Sequence, residues 1–491
     1  MSSKLLDIWN GILDFLIYSA FLCIIASVVY LLMISLTPIK NVWIALIITF
    51  GVIAIIIINA RAFKKSLVYI LTKMSKISIK KMIFIIISII VVEIICVIVL
   101  FVFPTYVFND TALYVEISEM ISSTGFVNIA LSYPHLLFTG LFLSIFNLLN
   151  ISYVTGMFCL FLAACVIYFL AFSKALGKER SFLAVVGYLL MPSSIMWTFS
   201  ITHEMFYFFF VSVIFYYSFD MFMSKKYIWW KLVIILSMLE LSNLINPISV
   251  ILIISCIIYS IITVRKSMYK VIVAMVIITV IPLGTIISKS ASIHYLGYEL
   301  KNAPFSSNLL VGANYESQGR YNQEILDKVH YIINARGLAD NVENYQKVST
   351  ELLIEEYKSL LSSPYKFFEL IATKFYIAWS GDHYSIEMLS NYGVTFRLND
   401  KLSHLINLMM LGVSACVYLL YICIGITSYR SEPKNSNSIN FTKCLVLGVI
   451  TTLLIIEIMN KYSVHTTILL YMIAVSKIGS KFLQPVDEVA S

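Results

Sequence analysis

Long apolar runs separated by short polar loops dominate the chain, and one polar segment, residues 288–403, is much longer than a loop. An α-helix rises about 1.5 Å per residue, so about 20 apolar residues are needed to cross a bilayer. Runs near this length predict an all-α polytopic membrane protein with about 12 transmembrane helices. The predicted spans lie near residues 12–36, 41–60, 82–103, 153–173, 181–200, 205–223, 230–245, 248–264, 271–287, 404–426, 443–459 and 462–479.

One further apolar run, residues 135–149, is too short to match the others. It would form a helix of about 22 Å, against a hydrocarbon core of about 30 Å. If it does not cross, nearly all Lys and Arg clusters in the short loops fall on the cytoplasmic side, as the positive-inside rule requires. If it did cross, the clusters from Lys174 to Lys443 would move outside unless a second span were also lost. We therefore expect a re-entrant or juxtamembrane helix here, with both termini cytoplasmic.

This orientation places residues 104–134, the short connection 201–204 and the polar segment 288–403 on the outer face. In the polar segment, apolar residues recur at three- and four-residue spacing from Tyr345 to Tyr357, which predicts a small helical extracytoplasmic segment. Four parts are predicted: an N-terminal two-span extension with a basic cytoplasmic loop (1–81), a transmembrane module (82–287), the extracytoplasmic helical segment (288–403) and a C-terminal three-span segment (404–491).

The composition also indicates a protein that is surrounded mainly by lipid. Of the 491 residues, 60% are hydrophobic and 13% are charged, and the mean hydropathy is +0.89, which excludes an ordinary soluble globular protein. The net charge of +8 is concentrated in short loops, so it indicates membrane orientation and not nucleic-acid binding. The eight cysteines lie in or beside apolar runs, so we expect neither a structural disulfide nor a Cys-based metal site.

The first predicted outer loop, residues 104–134, has unusual charge. It contains no Lys or Arg, yet it carries Asp110, Glu116 and Glu119. Carboxylates at the mouth of a membrane span indicate a site that handles protons or cations, or one that works beside an anionic ligand held by positive groups from elsewhere.

Several short motifs resemble the GT-C superfamily of integral membrane glycosyltransferases, in particular its protein O-mannosyltransferase-like and aminoarabinose transferase-like members. The motifs are DTALY, which starts at Asp110, YPHL, which starts at Tyr133, and the segment MPSSIMWTFSITHEMFYFFF, which contains His203 and Glu204. A looser match joins GANYESQGRYNQE to SPYKFFELIATKFYIAW. The resemblance covers roughly residues 82–400. It implies a bacterial plasma-membrane enzyme that moves a sugar from a polyprenyl-phosphate donor to a glycan, lipid or protein acceptor on the outer face.

Site residues follow from this resemblance. Asp110 is expected to act as general base toward the acceptor hydroxyl, and the anomeric centre would invert in a single displacement. Glu204 would orient His203, the acceptor or a divalent ion, and Tyr114, Tyr133 and His135 would contact substrate.

The donor phosphate needs positive charge, for which Arg320 and Lys374 are the candidates. Lys374 begins the aromatic run KFYIAW, which suits a membrane interface. No Walker-type loop, Gly-rich dinucleotide fingerprint or Asp-x-Asp pair occurs, which disfavours a cytoplasmic nucleotide-sugar enzyme. No cofactor is assigned beyond a possible divalent cation, and the metal requirement is left open.

Other interpretations stay open. Asp110 also fits a helix N-cap, Glu116 and Glu119 fit a solvated helix face, and Arg320 and Lys374 fit loop salt bridges or snorkelling side chains. Glu93, Glu240 and Glu457 lie inside predicted spans, which favours a transporter or flippase of lipid-linked glycans. A glycan polymerase or ligase shares the substrate class and the topology. The sequence identifies neither the sugar nor the acceptor.

Overall fold

The computed structural model is almost entirely α-helical, which confirms the predicted all-α class. It describes residues 3–36, 66, 69–102, 109–129, 133–191, 194, 197–199, 201–224, 229–246, 248–263, 277–300, 305–339, 341–379, 395–397, 400–427, 436–456, 464–476 and 478. The predicted span 41–60, residues 104–108 and 130–132 of the first outer loop, residues 271–276 of the span predicted at 271–287, and Glu457 lie outside the described residues.

In chain order the helices are α1 (Ser3–Leu36), α2 (Ile79–Leu100), α3 (Asn109–Thr124), α4 (Pro134–Leu148), α5 (Tyr153–Leu176), α6 (Lys178–Leu189), α7 (His203–Ser224), α8 (Trp229–Ile245), α9 (Ser249–Thr263), α10 (Val280–Leu296), α11 (Phe305–Ala313), α12 (Gln323–Ala335), α13 (Val342–Ser362), α14 (Pro364–Trp379), α15 (Asp400–Thr427), α16 (Ser436–Ile455) and α17 (Val464–Ser476). Residues 69–75 are also helical. A short 3-10 turn occupies Trp197–Phe199, and β1 (Phe101–Val102) pairs antiparallel with β2 (Thr395–Phe396).

Local sequence explains several helix ends. The Ser78 hydroxyl accepts from the Lys81 amide at the start of α2, and Ser152 does the same for Thr155 at the start of α5. Gly177, with φ of 89°, separates α5 from α6 in a backbone conformation that favours glycine. Pro134 begins α4, where its missing amide hydrogen costs nothing.

Four described helical stretches are long and apolar enough to cross a membrane: Trp9–Val28, Ile79–Leu100, Tyr153–Leu176 and Ser438–Ile455. Shorter apolar helices include Pro134–Leu148, Ser249–Ile258, Gly412–Gly425 and His465–Ser476. These helices are compatible with a membrane protein, and the count of about twelve spans stays a prediction.

Two predicted spans differ from the observed helices. The stretch 181–200 is not one helix, because α6 ends at Leu189. Pro192 follows closely in the sequence, and proline disfavours the helical conformation of the residue before it. The described part of the span predicted at 271–287 overlaps α10, which extends from Val280 to Leu296. The predicted boundary at 287/288 therefore falls inside α10.

The helices pack into one large hydrophobic core centred on α5, α6 and α7, with α8 on α7 and α17 on α6. The N-terminal helix α1 packs against α14, α15 and α16, so the predicted N-terminal extension joins the C-terminal segment. The short helix α4 packs mainly against α3 and also contacts α8.

One end of the bundle, the basic end, carries Lys174, Lys178, Lys231 and Lys443. Lys174 Nζ lies 3.0 Å from Asp220 Oδ1, and Lys231 pairs with the other oxygen of the same carboxylate. Lys178 Nζ donates to the carbonyl oxygens of Ser75, at 2.9 Å, and Ile77, at 2.8 Å. Lys443 Nζ donates to Asp14 Oδ1 at 2.8 Å, which ties α16 to α1.

The opposite end, the loop end, is where α2 ends and where α3, α4 and α7 begin. The ribbon of β1 and β2 attaches residues 395–396 to the end of α2. The Val127 amide donates to the Tyr295 carbonyl at 2.9 Å, which brings the end of α10 to the same place. Helices α11 to α14 lie in this region as the predicted helical segment. They surround a small second core that includes Leu310, Val329, Ile333, Val348 and Leu353.

Candidate functional site

Three helices begin together at the loop end of the bundle. The Thr111 hydroxyl, in the first turn of α3, donates to the Ile201 carbonyl just before α7, at 3.4 Å. The ring centroid of His135, in the first turn of α4, lies 5.4 Å from that of His203, the first residue of α7. Helix N-termini present unpaired amide hydrogens and positive partial charge, so their convergence creates a region that favours anions.

Around this point lies the His203 cluster, defined by Tyr114, Tyr133, His135, His203 and Glu204. The Tyr114 hydroxyl lies 3.0 Å from His203 Nδ1, and both side chains are buried. The Tyr133 and His135 rings stack with centroids 5.6 Å apart. Five of the eight sequence-predicted site residues are therefore neighbours, although they come from three separate parts of the chain.

Glu204 places a carboxylate inside this cluster. The residue is 1% exposed, and its Oε2 lies 3.5 Å from His203 Nδ1. Its position in the first turn of α7 is favourable for a negative charge because of the helix dipole. His203 thus lies between a phenol and a carboxylate, where its ring nitrogen can accept from the tyrosine hydroxyl or, when protonated, donate to either oxygen.

The backbone before α7 is strained. Ile201 has a φ of 46°, in the left-handed region that β-branched residues rarely adopt. Its side chain is buried and its carbonyl accepts the Thr111 hydrogen bond. Such conformations cost about 1–3 kcal/mol and concentrate at functional sites, where the surrounding structure enforces them.

Asp110 lies in the first turn of α3, one helical turn before Tyr114. Residues four apart share a helix face, so the Asp110 backbone belongs to the face of α3 that carries Tyr114. The Asp110 side chain lies outside the described residues. Glu116 and Glu119 are both exposed, which agrees with the interpretation as a solvated helix face.

The structure does not bring Lys374 into the His203 cluster. Lys374 is 0% exposed, and its Nζ donates to the carbonyl oxygens of Gly312, at 3.0 Å, and Ile456, at 2.6 Å. These carbonyls belong to the ends of α11 and α16, where a cation complements both helix dipoles. The contacts fit a structural cation that joins these helices. The predicted interfacial position does not fit a side chain this deeply buried.

Arg320 is exposed and follows Gly319 in the turn between α11 and α12. Gly319 has a φ of 72°, and a Cβ atom there would lie 2.9 Å from Lys374 Cε, so this backbone packs directly on the lysine stem. Arg320 therefore lies at the surface, next to the turn that covers the buried Lys374.

Sequence reasoning assigned no role to Arg397. Its amide donates to the Leu100 carbonyl and its Nε to the Phe101 carbonyl, each at 3.0 Å. The residue is exposed and lies where α2 gives way to the loop that leads to Asp110. Only the pairing of β1 with β2 creates this position, and two-residue strands leave no periodic signal in a sequence.

A polar network that sequence reasoning also missed holds α3, α4 and α5 together. Asn147 Nδ2 lies 2.6 Å from the Tyr153 hydroxyl and 3.1 Å from Ser118 Oγ. Its members are scattered Ser, Asn and Tyr residues in apolar helices, so spacing alone does not identify it.

Of the two predicted intramembrane carboxylates that the structure describes, Glu93 and Glu240, Glu240 has the smaller exposed fraction. It is 7% exposed, and neither of its oxygens has a hydrogen-bond partner among the described residues. A Cβ atom on Gly284 would lie 2.7 Å from Glu240 Oε1, so α8 and α10 approach closely at this carboxylate. Glu93 has one buried oxygen, Oε2, without such a partner.

No group of three or more metal-ligating side chains occurs within the part of the chain that the structure describes. The side chain of Asp110 lies outside that part of the chain.

In comparisons with known proteins, no family model matches the chain and no curated protein matches it significantly.

Proposed function

We propose that the protein is a polytopic membrane glycosyltransferase that moves a sugar from a polyprenyl-phosphate donor to an acceptor on the outer face of the membrane. The observation that carries this proposal is the His203 cluster, where three helices begin: Tyr114, His203 and Glu204 are buried at its centre, and Tyr133 and His135 lie at its more exposed edge. Proton transfer and phosphate binding are both served by such a site.

The reaction needs few protein groups. The acceptor oxygen attacks the anomeric carbon, the bond from that carbon to the phosphate oxygen breaks, and the electron pair leaves with the phosphate. Asp110 accepts the proton of the acceptor hydroxyl. The N-termini of α3, α4 and α7 supply positive partial charge beside the departing phosphate.

Within the cluster, Glu204 holds His203 and Tyr114 positions it from the opposite helix. Tyr133 and His135 form a stacked wall at the start of α4, suited to contact with the sugar ring. A mutually supported cluster with a buried centre keeps its geometry while substrate binds, which lowers the cost of orientation.

Arg397 is the best candidate cation for the donor phosphate, with Arg320 second. Arg397 is exposed and fixed by Phe101 at the start of the loop that contains Asp110. A guanidinium has five N–H donors and pairs well with phosphate oxygens. Lys374 is dropped from this role because two helix-end carbonyls already accept from its ammonium.

The contacts of Lys178 support the proposed topology, with cytoplasmic termini and α4 re-entrant. Between Ile77 and Lys178 the chain runs through α2, α3, α4 and α5, and α3 is not among the described helices apolar enough to cross a membrane. If α2 and α5 cross the membrane, the hydrogen bond from Lys178 to Ile77 requires an even number of crossings. A crossing by α4 would separate these residues by the thickness of the membrane. Together with the positive-inside rule, this supports a cytoplasmic basic end and an extracytoplasmic loop end.

The test is sugar transfer by the purified full-length protein with a panel of synthetic polyprenyl-phosphate sugars. We expect turnover by the wild type and loss of turnover by Asp110→Asn, with donor binding retained. The matched control is Glu116→Gln, a carboxylate on the exposed side of the same helix. An Asp110→Asn variant with wild-type turnover would end the assignment of the general base.

The second candidate function is transport of lipid-linked glycans across the membrane. The enclosed carboxylate of Glu240, packed against Gly284, is the observation that favours it. Movement of a labelled lipid-linked glycan across vesicles that contain the protein, abolished by Glu240→Gln and without sugar transfer, would replace the transferase by this function.

A further inference from the structure

A separate cavity lies among the outer helices α11, α12, α13 and α14. Its volume is about 380 Å³, within the usual range for sites that hold small organic ligands. Its polar walls include Tyr315, Asn322, Glu324, Lys328, Glu356 and Lys366. Sequence reasoning gave this segment no binding role.

The chemistry of the walls selects one class of ligand. Ammonium groups only donate hydrogen bonds, carboxylates only accept them, and the amides and the phenol do both. Hydroxyl groups also do both, so a ligand rich in hydroxyls can satisfy such mixed walls. Three carboxylates against two ammonium groups leave the lining slightly negative, which disfavours a polyanion. Charged walls likewise disfavour a polyprenyl chain.

The apolar part of the cavity also suits a saccharide. Leucine side chains of α11 and α13, including Leu310, Leu352 and Leu360, line the cavity and are buried in the second core. A saccharide ring carries an apolar face of C–H groups as well as hydroxyls at its edge. The cavity therefore offers both kinds of surface that a sugar presents.

Several wall groups are held in place before a ligand binds. Asn314 Nδ2 lies 3.5 Å from Glu356 Oε1, and Asn314 Oδ1 accepts from the Ser317 amide at 2.8 Å. The Tyr315 hydroxyl donates to Glu369, a bond that raises the pKa of Tyr315 and keeps the phenol neutral. Lys366 Nζ lies 5.2 Å from the centre of the Tyr315 ring. Such preorganisation reduces the ordering cost of binding.

The helix that supplies part of the cavity also contacts the membrane bundle. Helix α11, which contributes Leu310, ends at the Lys374 bridge to the end of α16. The backbone of Gly312 approaches the Ile455 carbonyl so closely that a Cβ atom there would lie 2.4 Å from it. A ligand in the cavity is thus held against the loop end of the bundle and not on a remote appendage.

We propose that this cavity binds the saccharide part of the acceptor, so that the acceptor is a glycan or a glycolipid and not a protein. The assignment of the bound saccharide as an acceptor rests on the proposed transferase function. The saccharide site itself stands on the cavity alone.

The test is binding of neutral trisaccharides, namely maltotriose, cellotriose, chitotriose and mannotriose, to the full-length protein in lipid nanodiscs, measured by calorimetry. We expect at least one to bind. Glu356→Gln should weaken that binding by about tenfold, since it exchanges a charged acceptor for a neutral amide. The matched control is Glu355→Gln, its exposed neighbour on α13, which is outside the lining and should bind as the wild type does.

A second pair of variants tests whether any effect of Glu356→Gln comes from misfolding and not from loss of a contact with the ligand. Lys328→Gln, at an exposed wall position, should also weaken binding, and Lys347→Gln, exposed on α13, should not. Binding by none of the four trisaccharides, or equal binding by wild type and both cavity variants, overturns the saccharide site. Saccharide binding without any sugar transfer would instead count against the transferase and leave this site standing.

Discussion

The hydroxyl of Tyr114 lies 3.0 Å from Nδ1 of His203, across 89 positions of sequence. This contact joins the second turn of α3 to the first residue of α7, and it brings the helix that begins with Asn109-Asp110 to the His203 cluster. Two segments that the sequence suggested separately thus become one site.

We predict that Tyr114→Phe lowers turnover by about tenfold while donor binding changes little. The variant keeps the ring, which packs edge-on against His203 with centroids 6.2 Å apart, and removes only the hydroxyl. It leaves the His203 nitrogen without this partner in a buried place, at a cost of about 1–3 kcal/mol. Sugar transfer and donor binding are measured on the same preparations.

The control for that experiment is Tyr331→Phe, because Tyr331 is 73% exposed on α12. A Tyr114→Phe protein with the turnover of the wild type would show that the hydrogen bond does not contribute to the reaction.

Much of the fold and part of the site are predictable from local sequence. Most of the apolar runs that the structure describes are helices, because hydropathy and length determine this class of element. Tyr114, His135 and His203 were predicted as site residues one by one, but their contact depends on how α3, α4 and α7 pack. The strained φ of Ile201 has no signal in a sequence, since it is enforced by tertiary contacts.

Burial explains why Lys374, which the sequence predicts as a phosphate-binding residue, contacts two helix-end carbonyls instead. Lys374 lies in an aromatic run typical of a membrane interface, yet α14 packs between other helices and encloses the ammonium group. Whether a cation on an amphipathic helix faces a ligand or a helix end is decided by packing, which pattern alone does not contain.

We therefore predict that Lys374→Met destabilises the protein and leaves donor affinity unchanged in the folded fraction. Removal of the ammonium deprives the Gly312 and Ile456 carbonyls of a donor, which should cost about 1–3 kcal/mol in the free energy of unfolding. Thermal denaturation in detergent measures the first effect, and donor titration measures the second. The control, Lys358→Met at an exposed position of α13, should change neither. A stable Lys374→Met protein with weakened donor binding would restore the phosphate role.

For Arg397 we predict the opposite behaviour. Arg397→Gln should weaken donor binding by about tenfold, and the difference from wild type should shrink at high salt because exposed charges are screened. Stability should fall only slightly, since the backbone bond to Leu100 is retained. Donor titration at low and high salt measures the effect.

Two further variants serve as comparisons for Arg397→Gln. Arg336→Gln removes a cation that pairs with Glu351 at 2.6 Å on the outer helices, and it should leave donor binding unchanged. Arg320→Gln tests the rival cation directly. Stronger loss with Arg320→Gln than with Arg397→Gln would move the phosphate site to the turn after α11.

The last prediction concerns the sidedness of the two ends of the bundle. In a variant with the native cysteines replaced, single cysteines at Ser75 and Lys178 should react with a membrane-impermeant maleimide only from the cytoplasmic side. A cysteine at Phe126, which is 61% exposed beside the Val127–Tyr295 hydrogen bond at the loop end, should react only from outside. Ser75 and Lys178 are in contact, so they must report the same side whichever way the protein is oriented. Phe126 must report the other side if α2 crosses and α3 does not. Labelling of all three positions from one side would mean that α2 does not cross, and the extracytoplasmic site proposed here would then be wrong.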